Sequence, residues 1–324
     1  MGLRNIPERY ETPKNTTGLL GVDIAPEAEG IRIKKVLQNT PAARSGSTLL
    51  PGDVIRSVNG QLVSEERNFY RPLNNTADQE VILNILRENT SQDIVIRPVK
   101  SIRTQRYEDW VEERRRITEA TSNGKLGYIH IRGMNWNSFE QFERELAASA
   151  YDKEGLVVDV RYNGGGWTTD YLMAVLDVQQ HSYTIPRGAT KNLDKEHQQF
   201  SEFYPFGARL PFFPWTKPSI ALCNQNSYSN AEIFSHAYKS LGLGKLVGTP
   251  TFGAVISTGG VRLVDGSYVR LPFRAWYVKA TGKNMELNGA VPDIIVNNPP
   301  DSKAKGEDPQ LERAINELLN KSNK

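Results

Sequence analysis

Between residues 18 and 100 the apolar positions come in short runs. Gly18–Ile24, Gly30–Val36, Asp53–Val58 and Glu80–Arg87 each read as a strand. Turn chemistry separates them at Ala25-Pro26-Glu27, Asn39-Thr40-Pro41, Pro51-Gly52-Asp53 and Asn59-Gly60. Pro41-Ala42-Ala43-Arg44-Ser45-Gly46 predicts a short helix with proline near its start and glycine at its end. This part of the chain is a small β-rich unit. Residues 106–122 then predict a charged connecting helix, which Gly124 stops.

From residue 125 the pattern changes. Leu126–Ile131 predicts a strand, and Asn137–Tyr151 a helix with Phe139, Phe142, Leu146 and Ala150 on one face. Gly155–Arg161 and Ser219–Cys223 are apolar nearly throughout, as expected of strands covered on both faces. Helices are predicted over Thr168–Gln179, 230–241 and Asp308–Leu319, a further strand over Lys245–Gly248, and a hairpin around Asp265-Gly266 within Val261–Leu271. Strands alternating with helices predict an α/β domain with a mostly parallel sheet. The expected division is an N-terminal segment (1–17), a β-rich domain (18–102), a helical connector (103–124) and an α/β core (125–324). The aromatic, proline-rich stretch Phe203–Trp215 reads either as a cover over a cleft or as a plain structural loop.

Composition narrows the choice of function. In 324 residues, 38% hydrophobic and 24% charged is ordinary for a globular protein with a sizeable core. The net charge of +3 is dispersed, and the run Arg114–Arg116 directly follows Glu112 and Glu113, so a solvated helix face is expected rather than a nucleic-acid patch. The single cysteine, Cys223, excludes an internal disulfide and a cysteine metal cluster. No cofactor is expected. No apolar run reaches membrane-spanning length. The polar N-terminus lacks the apolar core of a signal peptide. The compartment stays open between cytoplasm and, for a chain that has lost an upstream leader, periplasm.

Candidate chemistry lies where strands end, since open α/β sheets place their sites at strand carboxyl ends. After one strand comes Asn163-Gly164-Gly165-Gly166, whose uncovered amides could bind an oxyanion or simply make a tight turn. After another comes Asn226-Ser227-Tyr228-Ser229-Asn230-Ala231-Glu232. Ser229 with Glu232 three residues on fits a capping box. The same placement suits a nucleophile, since a helix N-terminus favours developing negative charge and the Asn230 amide would point at it. Glu286, in Met285-Glu286-Leu287-Asn288-Gly289, could orient a base.

Taken in order, these segments resemble the tail-specific (C-terminal processing) serine proteases, and within them the tricorn-like branch. GLLGVDI, VLQNTPAARSG and LLPGDVIRSVNG look like a PDZ domain; GKLGYIHI, GLVVDVRYNGGG, NSYSNAEIF, KLVGTPTFG and NGAVPDIIV look like the protease core, a crotonase-like α/β fold. The resemblance implies Ser229 as nucleophile and an oxyanion hole from Asn230 together with Gly165 or Gly166. It also implies Glu286 behind the base, and a peptide carboxylate bound at Gly18-Leu19-Leu20-Gly21. Peptides or unfolded polypeptides would be the substrates, and a homo-oligomer is one open arrangement. Two departures stand out. The dyad lysine of the common enzymes falls at Ala254, and the histidine that tricorn-like enzymes use, in a Ser-His motif upstream of the PDZ domain, has no match before Gly18. His236 would lie about 10 Å along the helix from Ser229, His130 lies in a strand, and only the loop residues His181 and His197 are candidates to replace it. The resemblance therefore implies a piece of a longer chain, or a shortened one, that holds nucleophile and oxyanion hole but not the general base. A peptide-binding module on an inactive protease scaffold is the competing reading.

Overall fold

The computed structural model describes residues 16–205 and 210–322. The chain forms two compact units, residues 1–113 and 114–324, which divide inside the long helix α1 (Arg103–Thr121).

The first unit is an antiparallel sheet. Its strands are β1 (Val22–Glu27), β2 (Gly30–Val36), β3 (Val54–Val58), β4 (Gln61–Leu62), β5 (Val81–Arg87) and β6 (Thr90–Ile96), in the order β1-β2-β3-β5-β6 with β4 beside β3. Alternate residues Ile31 and Ile33 of β2, and Val81, Leu83 and Ile85 of β5, face one buried core with Leu20, Ile55 and Leu73. The segment expected to be a strand from Gly18 becomes one only at Val22. Before that, the Gly18 amide donates to Leu73 O at 2.8 Å and Leu19 exchanges two bonds with Val99, at 2.9 and 3.0 Å, as an isolated antiparallel bridge. Pro41–Ala43 is one 3₁₀ turn rather than a longer helix. The pattern reading missed β6, because the turn that makes it, Glu88-Asn89, reaches φ of 49° and 65° without a glycine.

The second unit carries the all-parallel sheet β15-β10-β9-β8-β7, from β7 (Leu126–His130), β8 (Gly155–Asp159), β9 (Ser219–Cys223), β10 (Leu246–Gly248) and β15 (Ile294–Ile295). The strands β7, β8 and β9 are buried throughout, which is why they read as continuous apolar runs. The helices α2 (Trp136–Ala148), α3 (Thr169–Leu176), α5 (Asn230–Ser240) and α7 (Pro309–Ser322) supply Phe142, Leu146, Leu172, Phe234, Leu311 and Ile315 to the interior. The short helices α4 (Leu193–Glu196) and α6 (Ser302–Lys305) lie in connections. Of the aromatic stretch, Phe212 and Phe213 pack against the core and Trp215 is buried within it, so residues 210–215 are structural; 206–209 lie outside the described residues. A separate hairpin, β11 (Ile256–Arg262) with β12 (Tyr268–Ala275), turns at Asp265-Gly266, and β13 (Tyr277–Val278) pairs with β14 (Lys283–Asn284).

Register fixes where the site sits. His130 lies opposite Asp159, Asp159 opposite Leu222, and Cys223 opposite Gly248. The loops leaving β7, β8, β9 and β10 therefore emerge side by side from one edge of the sheet.

Candidate active site

Ser229 closes the loop from β9 and opens α5. Its backbone has φ 55° and ψ −117°, a conformation that L-residues with a side chain seldom adopt. Among the described residues, ten non-glycine residues have positive φ. Six are Asn or Asp and a seventh, Glu88, is in a hairpin turn; the other three are Tyr162, Ser229 and Leu287, in the loops leaving β8 and β9 and beside Glu286. Backbone strain gathered in this way marks functional loops.

The conformation separates Ser229 from an ordinary cap. The Glu232 amide faces the serine, but its 2.8 Å bond goes to the Ser229 carbonyl, and the hydroxyl makes no close capping bond. Both halves of the capping box are present in outline, the hydroxyl facing the Glu232 amide without a close bond and the Ser229 amide donating to Glu232 Oε1 at 3.0 Å. The neighbouring serines are structural. Ser227 Oγ donates to Val160 O at 2.9 Å, and Ser235 Oγ donates to Ala231 O at 2.9 Å.

The glycine turn lies directly against Ser229. A Cβ on Gly165 would sit 2.7 Å from Ser229 Cβ and 3.1 Å from Asn230 N, and one on Gly166 would fall 1.8 Å from Met134 O. Only glycine fits either place. The Gly165 amide is already spent, donating to Asn163 Oδ1 at 2.9 Å. Among the described residues no acceptor meets the amides of Gly166 and Asn230, and both residues line, with Ser229, a cleft of 320 Å³. Asn163 is buried and ties the turn down, its Nδ2 donating to Ile131 O at 2.7 Å while its own carbonyl accepts from Tyr228 N at 2.9 Å. Asn230 is anchored through Oδ1, which accepts from Thr169 N at 3.0 Å.

Behind these loops run two buried charged clusters. Glu232, fully buried, accepts from Ser229 N, Ala254 N at 2.9 Å, Thr251 Oγ1 at 2.7 Å and Gly253 N, so one carboxylate joins the serine turn to the loop after β10. Arg161, at the entry to the glycine turn, pairs with Asp159 at 2.7 Å and bidentately with Asp308 at 2.8 and 3.0 Å. Burial alone would raise the Asp308 carboxyl, but Arg161, Asn298 and Arg114 outweigh it and hold it at about 2. Nothing in the residue pattern marked Glu232 beyond a cap, or Asn163 as the brace of the turn.

No histidine or lysine among the described residues hydrogen-bonds the Ser229 hydroxyl. His236 Nε2 meets Asn288 O at 3.2 Å, His130 Nε2 meets Arg161 O at 2.8 Å, His181 pairs with Tyr204 at 3.3 Å and His197 with Tyr183 at 2.5 Å. Ala254 offers only its backbone. Glu286 sits in a loop bound to this region, since Leu287 N donates to Gly253 O at 2.8 Å and Met285 packs with Val255. Its Oε2 is buried without a hydrogen-bond partner. In the first unit, the amides of Gly18 and Leu19 donate to Leu73 and Val99, while among the described residues no acceptor meets those of Leu20 and Gly21; Gly21 has φ 91° and no room for a Cβ against Thr40.

Residues 125–296 match the model of peptidase family S41, which is more than half of the chain, and residues 18–97 match the PDZ domain. The chain belongs to peptidase family S41. It is 31% identical over 270 residues to tricorn protease of Thermoplasma volcanium, covering 83% of this chain and 25% of that protein. Against tricorn protease homolog 1 of Streptomyces coelicolor it is 32% identical over 324 residues, covering 94% and 29%. The crystal structure of the tricorn protease superposes with a TM-score of 0.80 at 28% identity, over 95% of this chain and 29% of that one. The chain thus spans under a third of the length of these relatives. The β-rich unit followed by an α/β core with a parallel sheet is the arrangement they share.

Proposed function

We propose that this S41 chain carries the acyl-transfer site of a serine endopeptidase acting on peptides or unfolded polypeptides. The observation that carries the reading is the strained Ser229, with its hydroxyl in no close hydrogen bond at a helix N-terminus and two unspent amides, Gly166 and Asn230, in the same cleft. Ser229 Oγ attacks the scissile carbonyl carbon and its proton passes to a base. The carbonyl oxygen becomes an oxyanion that accepts from the Gly166 and Asn230 amides. Collapse expels the amine, protonated by the same base, and leaves an ester on Ser229 that water then hydrolyses.

The base comes from outside the described residues of this chain. Glu286 is ready to orient it, because a buried carboxylate oxygen without a donor is costly and a base N–H or hydroxyl entering beside it would satisfy it. In the first unit, β1 is an edge strand that follows Leu20 and Gly21, so a peptide C-terminus is received by strand addition with its carboxylate at those two amides.

The test is hydrolysis of an unstructured fluorogenic peptide by the chain, with and without added imidazole. The expected result is a slow rate that imidazole raises and Ser229→Ala removes. Rates unchanged by Ser229→Ala would overturn the assignment and favour the peptide-binding module, which the missing base also fits. Fast, Ser229-dependent turnover without imidazole would keep the nucleophile and place the base in this chain.

A further inference from the structure

Trp167, which lines the cleft beside Ser229, also belongs to a cluster of aromatic side chains. Trp136 and Trp167 stack with 4° between their planes and 6.4 Å between centroids. Tyr171 stands edge-on to both, at 5.6 Å and 83° from Trp136 and 5.8 Å and 81° from Trp167. The buried Phe139 forms the floor, 5.4 Å from Trp136 and 5.5 Å from Tyr171. About half of each upper ring is open, with exposures of 45% for Trp136, 56% for Trp167 and 45% for Tyr171.

The backbone fixes this arrangement. Met134 N donates to Gly165 O at 3.0 Å and Trp167 N donates to Met134 O at 2.7 Å, a parallel bridge between the segments entering α2 and α3. Trp136 is the first residue of α2, Trp167 stands two residues before α3, and Tyr171 is in the first turn of α3. The bridge that presents the Gly166 amide to the cleft therefore also sets the two tryptophans face to face.

Rigid aromatic side chains left open beside a reactive cleft supply contact area at little entropic cost. We propose that the Trp136–Trp167–Tyr171 shelf is a substrate subsite, continuous with the Ser229 cleft, that takes an aromatic or large aliphatic side chain of an extended peptide. This rests on the peptidase reading above and names the class of side chain recognised. The charge pattern favours a neutral occupant. Asp170 lies between Trp167 and Tyr171 in the chain, and Arg270, held by Thr258 at 2.9 Å, lines the same cleft. A side chain of either sign would meet one of them unfavourably, whereas a ring or an aliphatic chain buries area against the shelf and leaves both in water. Since only Trp167 of the three rings lines the nucleophile's cleft, the residue the shelf holds is at least one removed from the scissile bond.

The experiment uses the full chain carrying Ser229→Ala and a set of C-terminally amidated heptapeptides, which lack the carboxylate that the first unit would bind. One position at a time is varied among Phe, Leu, Ala, Asp and Lys, and Kd is read by calorimetry. One position is expected at which Phe binds about tenfold more tightly than Ala. That preference should fall to about twofold or less in both Trp136→Ala and Tyr171→Leu, with thermal melting showing each variant folded; either variant alone suffices if the other fails to fold. A preference that survives the substitutions, a preference for Asp or Lys at that position, or no preference at any position overturns the proposal. Because Kd does not depend on turnover, aromatic selectivity without any Ser229-dependent hydrolysis, even with imidazole added, would sustain the subsite and sink the peptidase, and imidazole-raised hydrolysis without aromatic selectivity would do the reverse.

Discussion

Ser229 keeps its side chain in a backbone conformation that glycine would adopt without strain, and the strain gives a prediction of unusual sign. A positive φ costs an L-residue about 1–2 kcal/mol, while glycine costs about 0.5–1 kcal/mol in lost chain entropy. With no close capping bond from the hydroxyl to lose, Ser229→Gly should stabilise the fold by about 0.5–1 kcal/mol in denaturant unfolding and abolish hydrolysis. Ser229→Ala should abolish hydrolysis without that gain. A loss of stability in Ser229→Gly would mean that the hydroxyl serves as a cap after all. Gly165→Ala drives a methyl against Ser229 Cβ and Tyr228 O, both at 2.7 Å, and should destroy activity even where the fold survives. The residue types of the site were legible, since a glycine run and a helix-start serine follow strands. The choice between Gly165 and Gly166 was not. It depends on where Asn163 Oδ1 points, which no spacing encodes.

Elements are joined at the site by buried carboxylates. Glu232→Gln would turn an amide NH₂ toward donors that now meet an oxygen, and should cost about 2–4 kcal/mol in unfolding free energy. It should also slow hydrolysis, since Glu232 orients the Ser229 amide and the Gly253–Ala254 loop. Asp308, just before α7, holds Arg161 at the root of the glycine turn, and Asp308→Asn should cost about 3–5 kcal/mol by breaking a buried pair. Its pH dependence has a definite sign. The folded carboxyl titrates at about 2, below the unfolded value, so its contribution is complete above pH of about 4 and lost as pH falls toward 2. Asp308→Asn should remove that part of the acid-limb slope, as read from denaturant midpoints between those pH values. Element types followed from apolar periodicity, and β2 and β9 end where the pattern placed them. The two-residue strands β4, β13, β14 and β15 carried no pattern, and β6 alternates polar and half-buried positions on a sheet edge after a turn without glycine, so neither that strand nor its hairpin carried a signal.

Across the whole molecule, the proposed reading gives the two units separate binding tasks in one chain. The first unit should bind peptides through a free C-terminal carboxylate at Leu20 and Gly21, so amidation should weaken binding about tenfold or more. Gly21→Ala, which meets Thr40 side-chain atoms at 2.2 Å, should remove the difference. Calorimetry with matched acid and amide peptides checks this, and equal affinities would move the carboxylate site elsewhere. Legibility ends at the base: Ala254 and the four histidines already signalled that none is to hand, and the orphaned Glu286 oxygen adds where one would enter. The central claim is that Ser229, Gly166 and Asn230 form one acyl-transfer centre, and a crystal structure of the chain with a peptidyl boronate tests it without needing the base. The account predicts a covalent bond from Ser229 Oγ to boron, with one boronate oxygen accepting from the amides of both Gly166 and Asn230. A boronate bonded elsewhere, or bonded to Ser229 with its oxygens turned away from both amides, would contradict it.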